Sequence, residues 1–255
     1  MTTANPAANA LPVLILLHGA GGNRAMWNPV RRHLDPRLQV IALDLPGHGS
    51  RREGRFTIEA AVELVAAEVR RLAPAPVVLG GDSLGGYTSI AAALAIPPER
   101  IAGLALGGCT VNIQGKMLRA LRTRKFMVRI MAALMGEKRL VAKSADALVK
   151  KGIARADMDA IVAGGMRLGA WGEAVDSLAN RDTVAQVRQI QSRILFLNGD
   201  KDEGPVAHEA EFLAAARHAS AARFPCEHGV SLWMPAEFAT AVNHFVLGLA
   251  EKAAA

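Results

Sequence analysis

The sequence predicts an α/β fold, a mostly parallel sheet with helices on both faces, and three observations predict it. Short β-branched and leucine-rich runs alternate with longer helical patterns along 255 residues. Several of those runs, VLILL, VIAL and ILFL, are apolar without alternation, as strands buried on both faces are. The chain is 51% hydrophobic and 21% charged, which supplies a sizeable core and excludes a disordered chain.

Taken in order, the strands are expected at Pro12 to Leu17, Gln39 to Leu43, Pro76 to Leu79, Ile101 to Leu106, Arg193 to Leu197 and Ala222 to Phe224. Helical patterns lie between them, near Ala25 to His33, Thr57 to Leu72, Leu84 to Ala95, Val206 to Arg217 and Pro235 to Leu249. Only ten residues precede the first run, so about six strands are expected, all parallel, without an N-terminal hairpin. One connection breaks the rhythm. The 83 residues from 110 to 192 far exceed a normal crossover and are helical in pattern, which predicts an inserted helical cap over 110–192 on a core of 1–109 and 193–255.

Two cysteines, Cys109 and Cys226, make neither a zinc spacing nor a disulfide framework and suit a reducing compartment. The first ten residues lack a basic stretch before a long apolar run, so no signal peptide is expected. No segment approaches the roughly 18 apolar residues of a membrane span. A soluble cytoplasmic protein without integral membrane association is expected.

The segment VVLGGDSLGGYTSIAAALA reads as strand, sharp turn and helix, and it contains Gly81-Asp82-Ser83-Leu84-Gly85. In a G-x-S-x-G elbow the serine occupies a strained turn, and the flanking glycines let strand and helix approach. The entering apolar strand and departing alanine-rich helix favour Ser83 as a nucleophile over an ordinary glycine-rich turn. A serine hydroxyl needs a base, and the base an orienting acid. Of seven histidines, His228 follows the last strand and precedes the C-terminal helix, where a loop hangs over the carboxyl ends of the strands. His33, His208, His218 and His244 fall within helical patterns and read as surface or groove residues; His18 and His48 read as turn-bracing. Asp200 and Asp202 both follow the fifth strand, and the order Ser, Asp, His is that of an α/β-hydrolase triad.

On these motifs the chain resembles the capped α/β-hydrolase superfamily over its core, about residues 11–109 and 193–249, and not over the insertion. The resemblance rests on His18-Gly19-Ala20-Gly21, the DLPGHG run from Asp44 to Gly49, the elbow, Gly199 to Asp202, and His228 with Pro235. It implies Ser83 as nucleophile, His228 as general base, Asp202 in preference to Asp200 as the acid, and the backbone N–H groups of Ala20 and Leu84 as the oxyanion hole. Methyl-ester esterases of biotin synthesis and the related menaquinone-pathway synthase are similar in size and motif order. The implied activity is hydrolysis of a carboxylic ester through an acyl-enzyme, with a small-molecule ester as substrate and no cofactor. A thioesterase or lyase on a CoA- or carrier-bound acyl group is the alternative, and a ligand receptor on the same fold the remaining class. Serine at the elbow argues against epoxide hydrolases and haloalkane dehalogenases, which carry aspartate there. Asp82 departs from the commoner elbow residues and is expected to face solvent rather than to tune the base.

Gly19-Ala20-Gly21 is not a dinucleotide fingerprint, because Arg24 stands where the third glycine is required. No metal motif is present. The formal charge of +7 first suggests a polyanion partner. Residues 110–190, however, hold 15 basic and 7 acidic residues, leaving 15 basic and 16 acidic for the remainder, so the insertion carries the whole excess. With few aromatics beside it, nucleic acid is excluded. The densest part, Gly115 to Met135, is basic and amphipathic. It is expected to pack its methionine-rich side on the sheet and wall an acyl pocket with Phe126 and Met131, alongside Trp171 and Trp233, although Trp233 fits the packing of the last helix equally. Recognition of an acidic acyl carrier or CoA, and contact with an anionic membrane surface, are the other two readings of this helix.

Overall fold

The computed structural model describes residues 11–254; the first ten residues, over which no signal peptide is expected, and residue 255 lie outside the described residues. Strands β1 (Val13–Leu17), β2 (Val40–Leu43), β3 (Val77–Asp82), β4 (Ile101–Gly107), β5 (Arg193–Gly199) and β6 (Ala219–Phe224) form one sheet in the order β2-β1-β3-β4-β5-β6. Every neighbouring pair is parallel. The unbroken apolar runs are explained by what lies on either side. Successive residues point to opposite faces, so Ile15, Leu17, Leu79, Leu104 and Phe196 enter one core while Leu14, Leu16, Val78, Ala105 and Leu197 enter another.

The first core is closed by α2 (Ile58–Arg71), α3 (Leu84–Ala95), α8 (Thr183–Gln189) and α9 (Glu203–Ala215), through Val65, Ile90, Val187 and Phe212 among others. The second is closed by α1 (Asn28–Arg31) and α11 (Pro235–Ala254), through Val30, Phe238, Val242 and Val246. Among the elements whose bounds differ from expectation, two are instructive. The first helical segment divides into a 3₁₀ turn, Arg24–Trp27, and the single turn α1. Strand β6 begins at Ala219 rather than Ala222, because an exposed edge strand of alanine and serine carries no apolar signal.

Between β4 and β5 lie α4 (Gly115–Met135), α5 (Glu137–Lys150), α6 (Arg155–Ala163), α7 (Leu168–Leu178) and α8. Helix α8 sits with the sheet-flanking helices, its Val184 and Val187 in the first core. A third apolar cluster joins Ile153, Met158 and Ile161 to Met26 of the 3₁₀ turn. Arg32 holds Asp157 through two hydrogen bonds of 2.9 and 2.8 Å, and Asn23 donates to the Ile161 carbonyl at 2.7 Å. The insertion is thus tied to the loops after β1 and not only to its own ends.

Helix α4 overturns the expected packing. It buries only Leu118 fully and rests on a narrow face that includes Leu121, Lys125, Val128 and Ala132, with Lys125 paired to Asp176 of α7. Phe126 and Met131, expected in the pocket, are 62% and 36% exposed and line no part of it. Apolar residues run all round this helix, and periodicity cannot say which of them face inward.

Candidate active site

The strand order reverses on either side of β1, and the loops after β1, β3, β5 and β6 meet above the same carboxyl-terminal edge. Ser83, between β3 and α3, has φ 54° and ψ −114°; among the described residues only one other non-glycine, Asn180, has positive φ. Its N–H donates to the Gly107 carbonyl at 2.7 Å, which fixes the turn from below. Glycine is required on both sides. A methyl group on Gly81 would stand 2.2 Å from the Gly85 carbonyl carbon, and one on Gly85 only 1.8 Å from the Leu17 carbonyl oxygen. Such a turn stores about 1–3 kcal/mol of strain, which the strand and helix packing around it must sustain.

Ser83, Leu84, Ala20, Asp202 and His228 line one cavity of about 300 Å³ whose remaining wall is largely apolar, including Val111, Ile113, Met117, Leu121, Val175 and Leu178. Leu84 opens α3, so its N–H has no intrahelical acceptor and faces the region of Ser83. His228 Nδ1 donates to Asp202 Oδ2 at 2.5 Å, while Asp200 is exposed. Burial among neighbouring atoms works against a charged imidazole, but the hydrogen bond to Asp202 and the charges of Asp202 and Asp82 outweigh it. Against Arg124, which acts in the lowering direction, the His228 pKa lies above the ordinary value. The ring lies against Gly108, where a methyl group would stand 2.9 Å from His228 Cε1.

Trp171 lines the cavity as expected, and Arg124 stacks over its ring at 5.4 Å. Trp233 does not line it. Its indole N–H donates to the His228 carbonyl at 2.9 Å, so it braces the histidine loop from behind. Phe126 and Met131 are outside the cavity for the reason given above.

Asp82 is the clearest surprise, since it was expected to face solvent and is 1% exposed. Ser231, at the start of the short helix α10 (Val230–Trp233), donates its hydroxyl to Asp82 Oδ2. Asp82 Oδ1 has no hydrogen-bond partner. Nothing in the spacing of Asp82 and Ser231 announces the pair, because they meet only when the loop after β6 folds back over β3.

His18 and His48 brace the loops that shape the site. The Leu45 N–H donates to His18 Nε2 and the Gly21 N–H to His48 Nε2, both at 3.0 Å. Their Nδ1 atoms lie 2.8 Å from the carbonyls of Gly19 and Pro46, so both rings are neutral with the proton on Nδ1. Burial pushes His18 down to about 3, helped by His48, and lowers His48 as well. From the insertion, the Arg167 N–H donates to the Gly21 carbonyl at 2.9 Å, joining it to the loop that carries Ala20.

The chain is 39% identical over 98 residues to an esterase of Mycobacterium tuberculosis, covering 37% of this chain and 32% of that protein. It is 37% identical over 99 residues to the pimeloyl-[acyl-carrier protein] methyl ester esterase of Xanthomonas oryzae pv. oryzae, covering 39% and 37%. The match thus spans about a third of the length of these curated relatives. Among solved structures, a thermophilic esterase from Thermogutta terrifontis superposes with a TM-score of 0.75 at 20% identity, over 93% of this chain and 90% of the other. A MenH from S. aureus superposes at 0.73 and 16%, over 95% and 94%. The sequence profile of the Alpha/beta hydrolase family matches residues 14–241. On that span the chain belongs to the Alpha/beta hydrolase family.

Proposed function

We propose that the protein is a serine esterase that cleaves a carboxylic ester through an acyl-enzyme. The observation that carries the reading is the His228–Asp202 hydrogen bond of 2.5 Å, in the same apolar cavity as a serine held at positive φ. Ser83 Oγ attacks the ester carbonyl as His228 Nε2 takes its proton, and Asp202 holds the imidazole by Nδ1 and stabilises its charged form. The N–H groups of Ala20 and Leu84 bind the tetrahedral oxyanion. His228 then protonates the departing alcohol, and in the second half-reaction it activates the water that releases the acid.

The apolar wall suits an acyl chain or a small apolar alcohol. In this reading α4 to α7 of the 110–192 insertion act as the cap that selects the substrate, while α8 packs with the sheet. The buried free thiols of Cys109 and Cys226 suit action in the cytoplasm. A second reading is a thioesterase or pathway-specific lyase acting with the same triad on a CoA- or carrier-bound acyl group. Arg124 at the cavity wall favours it, because a guanidinium there can meet an anionic carrier group.

Ser83→Ala is expected to abolish both turnover of a short p-nitrophenyl ester and labelling by a fluorophosphonate. Undiminished labelling of that variant would remove Ser83 from the mechanism. Matched oxygen and thio esters separate the two readings: faster oxygen-ester hydrolysis supports the first, and a strong preference for the CoA thioester the second.

A further inference from the structure

The outer face of α4 is built unlike the rest of the surface. Phe126, Met127, Ile130 and Leu134 fall on one side of the helix at positions i, i+1, i+4 and i+8, and they are 62%, 51%, 38% and 81% exposed. Large apolar side chains this exposed and this contiguous mark a contact surface. The same helix carries Lys116, Arg119, Arg122, Arg124, Lys125 and Arg129, and not one Asp or Glu over Gly115–Met135. Among the described residues only Lys125 of these six has a carboxylate in ion-pair range, and it points inward to Asp176. Exposed Lys138 and Arg139 extend the positive surface into α5, where Glu137 is engaged by the Gly169 N–H.

We infer that the outer face of α4 docks the protein on an anionic lipid surface, the helix lying in the plane of the interface with its apolar ridge among the acyl chains and its flanking cations at the head groups. Two features choose a lipid surface over an acidic protein. The ridge side chains are 38–81% exposed on a single helix, whereas the hollow beside it, around Val128 and Ala132, lies on the inner side. Apolar residues and cations are also interleaved along one face, as the long stems of arginine permit at a head-group boundary. No helix among the described residues is long and apolar enough to cross a membrane, so the contact is peripheral. The inner face of the same helix supplies Met117, Leu121 and Arg124 to the cavity, which places the cavity wall one helix diameter from the lipid.

The test is flotation of the full chain with vesicles, and it reads docking whether or not Ser83 is the nucleophile. Vesicles of phosphatidylcholine with about 30% phosphatidylglycerol are expected to carry about tenfold more protein than phosphatidylcholine alone, with the difference collapsing as salt is raised. Phe126→Ser with Leu134→Ser, and separately Arg122→Glu with Arg129→Glu, are expected to lower binding about fivefold or more. Both pairs should leave hydrolysis of a soluble p-nitrophenyl ester unchanged. Absence of binding, equal binding to neutral vesicles, or undiminished binding by both variants would overturn the inference. So would a dimer in solution, or a complex with an acidic acyl carrier protein, that the same substitutions disrupt while vesicles stay unbound.

Discussion

In the proposed mechanism, replacing Asp82 by asparagine isolates what a buried carboxylate beside Ser83 does to His228 as the base. Asparagine keeps the volume and an oxygen to accept the Ser231 hydroxyl, and it removes the charge. A methyl group on Gly108 would stand 2.9 Å from His228 Cε1 and 3.5 Å from Asp82 Oδ1, so carboxylate and imidazole edge are at most about 6.4 Å apart. At that separation unit charges interact by about 0.6 kcal/mol in full water screening and about 2.6 kcal/mol at an effective dielectric of about 20. His228 has 49% of its side chain accessible, so solvent screening selects the lower half of that range, about 0.6 to 1.4 kcal/mol. The sign follows from which form works. His228 acts as a base when neutral, so kcat/KM falls as pH drops through its raised pKa. The groups facing it are Asp202 and Asp82, which raise that pKa, and Arg124, which lowers it. Without the Asp82 charge the imidazolium is less stable, and the acid limb moves to lower pH. The plateau falls about 3- to 10-fold, because the transition state also carries a positive imidazole. The assay is kcat/KM against pH on a soluble p-nitrophenyl ester, with circular dichroism to verify the fold. Ser231→Ala, which removes the hydroxyl and leaves the charge, should not lower the limb. A limb that stays in place or moves to higher pH in a folded Asp82→Asn protein would refute the reasoning.

Two further outcomes follow from the scaffold. Gly85→Ala places a methyl group 1.8 Å from the Leu17 carbonyl oxygen, so β1 and α3 must separate; a loss of about 3 kcal/mol or more is expected in urea unfolding, and a loss under 1 kcal/mol would mean the contact is readily relieved. His18 stays neutral in the fold down to about 3, whereas unfolded histidine protonates near 6.5, so stability drains as pH falls through that interval. The contribution is about 1.4 kcal/mol per pH unit, or about 2.7 kcal/mol at about pH 4.5. His18→Gln, which can still accept from Leu45, should flatten the dependence of unfolding free energy on pH by that amount. An unchanged slope would show that His18 protonates without cost in the native state.

The sheet and the gathering of Ser83, His228 and Asp202 in one cavity were legible because their signals are local. Runs such as VLILL betray a strand buried on both faces, and the elbow places Ser83, Gly81 and Gly85 within five consecutive residues. His228 and Asp202 were reachable because strand ends in an open α/β sheet converge on one edge. What failed was information held in contacts between distant segments. Asp82 and Ser231 are 149 positions apart, so only the folded loop after β6 reveals that the carboxylate is buried and bonded. Trp233 could be read equally as lining the cleft or as packing the last helix, since a five-residue offset from His228 does not say which side of the loop the indole takes; it packs against the core that the last helix closes. Helix α4 defeated periodicity for a simpler reason. With apolar side chains on every side, its pattern is satisfied equally by a buried face and by a face that waits for another phase.

The uneven charge of the two parts matters for the chemistry, since they act on the same imidazole in opposite directions. The insertion contributes Arg124, which opposes the charged form of His228, and the core contributes Asp82 and Asp202, which favour it. These fields are not equally durable. Arg124 is exposed, and salt or an arriving anion can screen or neutralise it, whereas Asp82 is 1% exposed and its field is screened far less. An anionic group seated near Arg124 therefore removes the opposing field and leaves the core's, which raises the basicity of His228 as the site fills. In the proposed mechanism a carboxylate buried next to Ser83 thus has a physical use: it keeps His228 supplied with a stabilising charge that changes in the basic insertion cannot erase.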